Sequence, residues 1–166
     1  MFYILVTSLC LAAFFFVMFY GLGYRVNRSA SLPFLIYKTT HINPETDIRC
    51  GDCVLVDLSK ISNAVIDQGI ERGYVNLREP MLKRIGAIPG DTVVLTENLL
   101  SVNDEVIEMK IAPHDSNGKE LSAWPTPITL QLGEYWLVSD PERGFDSRYF
   151  GPVNAIAFTH KAKPIF

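Results

Sequence analysis

The chain has 166 residues, enough for one domain with its own core, and its 10 prolines and 11 glycines imply a turn-rich architecture. Its formal net charge is −3, its pI is near 5.6, and its basic residues are scattered. It therefore lacks the basic stripe that neutralises phosphates, which argues against a nucleic-acid partner.

The first stretch, Met1 to Tyr24, "MFYILVTSLCLAAFFFVMFYGLGY", contains no charged side chain. Twenty such residues in a helix reach about 30 Å, the thickness of a bilayer's hydrocarbon core. A transmembrane anchor over residues 1–24 followed by one domain over 25–166 is the expected division. A removable signal peptide is the competing reading, but it wants a basic n-region and an apolar run of only about 7 to 15 residues. Arg25 and Arg28 follow at once, and the positive-inside bias would keep that side cytoplasmic, although longer domains translocate largely regardless of charge.

Beyond the anchor the signals are of period two or short apolar runs between turns. "CVLVDL" (Cys53 to Leu58), "DTVVLTEN" (Asp91 to Asn98), "EYWLVSD" and "NAIAFTHKAKPIF" read as strands. "LLSVNDEVIEM" predicts a hairpin turning at Asn103-Asp104. "SNAVIDQGIERGY" (Ser62 to Tyr74) is the one segment where a short helix is expected, and "APHDSNGKELSAWPTP" (Ala112 to Pro127) reads as a loop or small excursion. The expected architecture is mainly β.

Cys50 and Cys53 frame "CGDC", a spacing open to a redox pair, half of a zinc site or a local disulfide. No second C-x-x-C exists, and His41, His114 and His160 are isolated, so a zinc site would lack its other ligands. The plainest reading is a turn at Gly51-Asp52 leading into a strand, with the two cysteines either bonded or free if the domain is exported.

Two segments could carry chemistry. In "MLKRIGAIPGDTVVL" (Met81 to Leu95) a turn at Pro89-Gly90-Asp91 separates two apolar strands, with Lys83 inside the first. Strand alternation puts Met81, Lys83 and Ile85 on one face and Leu82, Arg84 and Gly86 on the other, so one cation must point toward the apolar side. Desolvation disfavours an ammonium. An ordinary lysine of pKa about 10.4 used as a base near pH 7 carries a penalty of roughly 4 to 5 kcal/mol, most of which burial removes. The alternative is a lysine snorkelling at a sheet edge.

The second segment is "RSASLPFLIYK" (Arg28 to Lys38). Serine hydroxyls need a neighbouring base, and Ser-Lys pairs are a recurring alternative to Ser-His-Asp. Ser31 is the candidate nucleophile, and Ser29, on the same side of an extended chain, the candidate oxyanion donor. The competing reading is a flexible linker. Six extended residues reach at most about 20 Å, so a nucleophile at Ser31 would act near the membrane surface.

In this order the pieces resemble the bacterial type I signal peptidases, membrane-anchored Ser-Lys endopeptidases. Four blocks carry the resemblance: an anchor followed by "SASLP", "GDCVLV", "LKRIGAIPGDTV", and "SDPERGFDSRYFGPV" (Ser139 to Val153). Ser-Leu-Pro, the compact length and "ERGYVNLREPMLKRIGAIPGD" are similar to the conjugative-transfer branch, which processes a pilin precursor.

The resemblance implies a signal-peptidase-like domain of twisted antiparallel sheets behind one N-terminal transmembrane helix, set on the periplasmic face of the bacterial inner membrane. It implies Ser31 as nucleophile, Lys83 as general base, and Ser29 with the Ser31 N–H as oxyanion hole. Asp146, Ser147 and Arg148 would support the active-site sheet, and the branch has also assigned its aspartate a catalytic role. The expected substrate is a pilin precursor or other preprotein cut after a small residue, in the setting of a conjugative transfer apparatus and with no metal or organic cofactor. Water and an amine of the pilin itself both stand as acceptor of the acyl group, the second giving a cyclic product. Housekeeping members carry a serine two residues before the aspartate to hold the lysine, and this chain has Gly144 there. Ser147 or a backbone carbonyl is the expected substitute. The C-x-x-C is a second departure from the pattern. An inactive anchored assembly factor and a redox protein using Cys50 and Cys53 are the alternatives from other classes.

Overall fold

The computed structural model describes residues 2–27, 31–96, 99–140 and 144–165; Arg28 and Ser29 lie outside them. Helix α1, Phe2–Gly21, carries no charge. It is the one helix among the described residues long and apolar enough to cross a membrane, with mean hydropathy 2.2 over Tyr3–Gly21 and none of that window buried against the rest of the chain. At its C-terminal end the Arg25 guanidinium donates to Tyr20 O (2.9 Å), which also accepts the Gly23 N–H, and to Tyr24 O (2.8 Å) just beyond the helix, and lies 5.2 Å from the Tyr20 ring. That is the end of a helix where positive charge is favourable. Arg25 thus has a local reason to follow the apolar run.

The chain turns at Gly23 and enters β1 (Tyr24–Val26), then β2 (Ile36–His41) and β3 (Cys53–Val56). A 3-10 turn at Leu58–Lys60 leads to α2, Ala64–Glu71, inside the segment expected to be helical. Asn63 caps it by accepting the Val65 and Ile66 N–H groups, and its own amide donates to Phe150 O at 2.8 Å. There follow β4 (Met81–Ala87), β5 (Thr92–Leu95), β6 (Leu99–Val102) and β7 (Glu105–Glu108). The β6–β7 hairpin turns at Asn103 and Asp104, both at positive φ as a two-residue loop of this kind requires. The last elements are β8 (Ile128–Thr129), β9 (Glu134–Val138), α3 (Ser147–Phe150), β10 (Val153–Asn154) and β11 (Phe158–Pro164).

These strands form two antiparallel sheets. The larger has the order β1-β2-β11-β3-β4-β9-β10, and the smaller β7-β6-β5-β8. One core packs Val54, Val56, Met81, Ile85, Leu137 and Phe150 between the large sheet and α2. A second, around Trp136, Val93, Leu100 and Leu130, joins β9 to the small sheet. A third cluster of Leu32, Tyr37, Leu82 and Ala162 buries the residue after Ser31 on the large sheet. The mainly β expectation holds, and the 112–127 excursion contains only an isolated bridge between His114 and Glu120.

Gly151 closes α3 at φ +77°, and a Cβ there would lie 2.4 Å from Trp124 Cε2. Gly151→Ala therefore combines a backbone conformation that L residues avoid with displacement of a packed indole, and is expected to cost about 3 kcal/mol in urea unfolding. An unchanged midpoint would show that Trp124 moves aside freely.

Candidate active site

The strand expected to carry Lys83 is β4, and its alternation resolves which cation turns inward. Lys83 pairs across the sheet with Val54, lies on the face of Met81 and Ile85, and is 2% exposed. Arg84 faces the other way and is ion-paired with Asp140. Burial, the largest influence, pushes the Lys83 amine down from 10.5 to about 8; Asp146 acts against this and Arg148 with it. Snorkelling at a sheet edge is excluded by the depth of the side chain.

Ser31 comes to this lysine from the far end of the sequence. Its Oγ lies 3.3 Å from Lys83 Nζ. Asn27 holds the loop, its side-chain amide donating to Leu32 O and Phe34 O (both 3.1 Å) and its N–H to Leu35 O (2.7 Å). The buried Leu32 anchors the loop to the third cluster, and Ser31 O accepts the Asp140 N–H at 3.0 Å. The chain is therefore fastened from Ser31 to Leu35, and Asn27 is a supporting residue that no pattern in the sequence marked.

Asp146, Ser147 and Arg148 are all completely buried. Asp146 caps α3, accepts Arg148 Nε on Oδ1 and Nη2 on Oδ2 (each 2.8 Å), and accepts the Ser139 N–H on Oδ2 at 2.9 Å. Arg148 also donates to Lys110 O and Gly144 O. The pair thus ties α3 to Ser139 just after β9, to Gly144 and to Lys110 after β7.

The expected orienting group for Lys83 needs correction. Ser147 points to β9, where its Oγ accepts the Leu137 N–H at 2.9 Å. The group on Lys83 is the Ser139 hydroxyl, 2.5 Å from Nζ and fully buried. Strands β4 and β9 are antiparallel with Arg84 opposite Val138, so one step further along the ladder sets Ser139 opposite Lys83 on the same face. Nothing in the linear sequence ties residue 139 to residue 83.

Ser31 and Lys83 lie in a cleft of about 830 Å³ whose wall includes Leu55, Ile70, Met81 and Phe145. Polar side chains, among them Asn27, Thr39, Asn76 and Glu79, line the same cleft, so its wall is mixed. Cys50 and Cys53 are free thiols away from this cleft; Cys50 Sγ lies 3.3 Å from Gly86 O. The turn at Gly51-Asp52 between them has Gly51 at φ +88°. Burial pushes both thiols up, the reverse of what an attacking thiolate needs.

With this geometry the sequence matches a family model for signal peptidases over residues 1–166. The chain belongs to the signal peptidase family, peptidase S26. A plasmid transfer protein TraF from Escherichia coli is 30% identical over 156 residues, covering 88% of this chain and 84% of that protein. A conjugal transfer protein TraF from Agrobacterium fabrum is 26% identical over 150 residues, covering 87% and 82%. A signal peptidase I crystal structure from Enterococcus faecalis aligns with 73% of this chain and 97% of that one, at 17% identity and a TM-score of 0.42. As an S26 member the chain is a serine peptidase in general type, and its N-terminal helix is consistent with a single-pass anchor.

Proposed function

We propose that this S26 member is an inner-membrane endopeptidase with a periplasmic catalytic domain, which matures the pilin precursor of a conjugative transfer system by cutting after a small residue. The observation that supports it best is a lysine amine, 2% exposed, at 3.3 Å from a serine hydroxyl in a cleft. The conjugal-transfer relatives supply the setting. Arg25, busy capping α1, is a weaker obstacle to an outward-facing domain than its charge suggests.

In this reading neutral Lys83 takes the Ser31 proton as Oγ attacks the scissile carbonyl. The Ser31 N–H and the Ser29 hydroxyl hold the oxyanion. Collapse releases the leaving amine, which takes the proton back from Lys83, and the peptide acyl group stays on Oγ. Water, or an amine of the pilin, then releases it.

The test is cleavage of candidate pilin precursors by the full chain in detergent micelles, read by mass spectrometry, beside Ser31→Ala. The wild type is expected to give a product ending at a small residue, lighter by one further water if the pilin is cyclised. Processing by Ser31→Ala at the wild-type rate would sink the proposal. The rate should also follow the neutral amine: kcat/KM climbs about tenfold per pH unit below about 8 and levels above it. A flat profile between pH 6 and 9 would remove Lys83 as the base.

A further inference from the structure

We infer that Ser139, together with the backbone of Asp140, is the positioning element that sets the Lys83 amine against the Ser31 hydroxyl. The inference rests on the Ser-Lys reading above and names what holds that pair in register. Three bonds from two consecutive residues carry it. The Ser139 hydroxyl lies 2.5 Å from Lys83 Nζ, the Ser139 N–H donates to Asp146 Oδ2 at 2.9 Å, and the Asp140 N–H donates to Ser31 O at 3.0 Å. One dipeptide thus touches the base, the segment bearing the nucleophile and the buried ion pair.

A lysine amine sits on a flexible four-carbon stem, and a lone pair works as a base only if it points at the proton it takes. Ser139 is completely buried and its N–H is held by Asp146, so its hydroxyl meets Lys83 from an anchored backbone. Accepting one N–H there leaves the Lys83 lone pair free for Ser31. After proton transfer the same hydroxyl still accepts from the ammonium, so the contact serves both states of the base. Among the described residues no hydrogen bond joins Asp146 to Lys83; the carboxylate holds Ser139, and Ser139 meets the amine. Asp146 is accordingly a positioning residue at one remove.

Two independent features favour a built contact over incidental packing. Ser139 directly follows β9, one step beyond the Arg84–Val138 pair that ends the β4–β9 ladder, and continuing that register carries it across from Lys83. The outer side of the same segment is fastened separately by the Arg84–Asp140 ion pair.

The experiment compares wild type, Ser139→Ala and Ser139→Thr, as full chains in micelles, by kcat, KM and the pH dependence of kcat/KM on one cleavable precursor. Ser139→Ala leaves the N–H to Asp146 in place, and circular dichroism reports whether each variant is folded. A folded Ser139→Ala is expected to lose about 100-fold in kcat, the cost of misplacing a reacting group by about 1 Å, with KM changed less than about threefold. Its rising pH limb should also move to lower pH, because the ammonium loses an acceptor while Asp146 and Arg148, the charged groups acting on Lys83, stay in place. Ser139→Thr keeps the hydroxyl and is expected to recover both kcat and the position of the limb. A folded Ser139→Ala with the wild-type kcat, or with an unmoved limb, overturns the inference, as does loss of folding in both variants, which would make Ser139 a packing residue. Failure of the underlying reading looks different, since wild type would then not cleave or Ser31→Ala would cleave as well.

Discussion

Lys83→Met is expected to abolish cleavage and at the same time to stabilise the fold. The activity loss should be at least about 10⁴-fold, because a serine hydroxyl without its base is a poor nucleophile and members of such a unit fail together. The gain in stability has a separate origin. The drop of the Lys83 amine from 10.5 to about 8, at about 1.4 kcal/mol per pKa unit, corresponds to about 3 kcal/mol by which burial opposes the charged form. Methionine has a similar length and no charge to desolvate. Leaving Ser139 without its lysine partner takes back about 1 kcal/mol, so a net gain of about 2 kcal/mol at neutral pH is expected.

The pH dependence fixes the sign. The unfolded chain keeps the Lys83 proton up to 10.5, while the folded one releases it near 8, so between these values the unfolded state binds more protons and wild-type stability rises with pH. Below about 8 the burial cost is present in full, and above 10.5 it is gone. Urea unfolding of wild type and Lys83→Met should therefore differ most at pH 6.5 and converge toward pH 10. A variant less stable than wild type at pH 6.5 would mean that the amine's hydrogen bonds outweigh its desolvation.

The second large effect belongs to the buried pair. Asp146→Ala takes the carboxylate away from a guanidinium that is completely buried and also removes the α3 cap and the acceptor of the Ser139 N–H. Breaking one side of such a pair costs about 3 to 5 kcal/mol, which for a chain of this size is about 10 to 15 °C in Tm. Arg148→Met should cost a comparable amount. The double variant should be less destabilised than the sum of the two, because with both charges gone neither is left unpaired. Strict additivity would show that the two side chains act separately, as helix cap and as link to Lys110 and Gly144.

The alternation of β4 could be read from one stretch of residues, and so could the need for one buried cation in it. The apolar helix, the α2 segment and the Asn103-Asp104 hairpin were equally visible, because each is written in consecutive residues whose period or turn chemistry is local. Strand β2 was not anticipated. It lies between β1 and β11, and a strand with neighbours from opposite ends of the chain announces itself only weakly in its own sequence. The short β8 and β10 and the single turn of α3 have too few residues to show a period.

For the site, the sequence by itself supplied the candidates: a serine just past an apolar helix, a lysine on an alternating strand, and an Asp-Ser-Arg run. It also showed Gly144 at the position where the resemblance implies a serine that holds the lysine. Only the tertiary structure decided which partner replaced it, because an antiparallel register relates residues 83 and 139 through the spacing of two strands and not through any motif. The same holds for the inward turn of Lys83. Period two offered two faces, and the choice between Lys83 and Arg84 was made by which face of the sheet Val54, Ile85 and Leu137 close over.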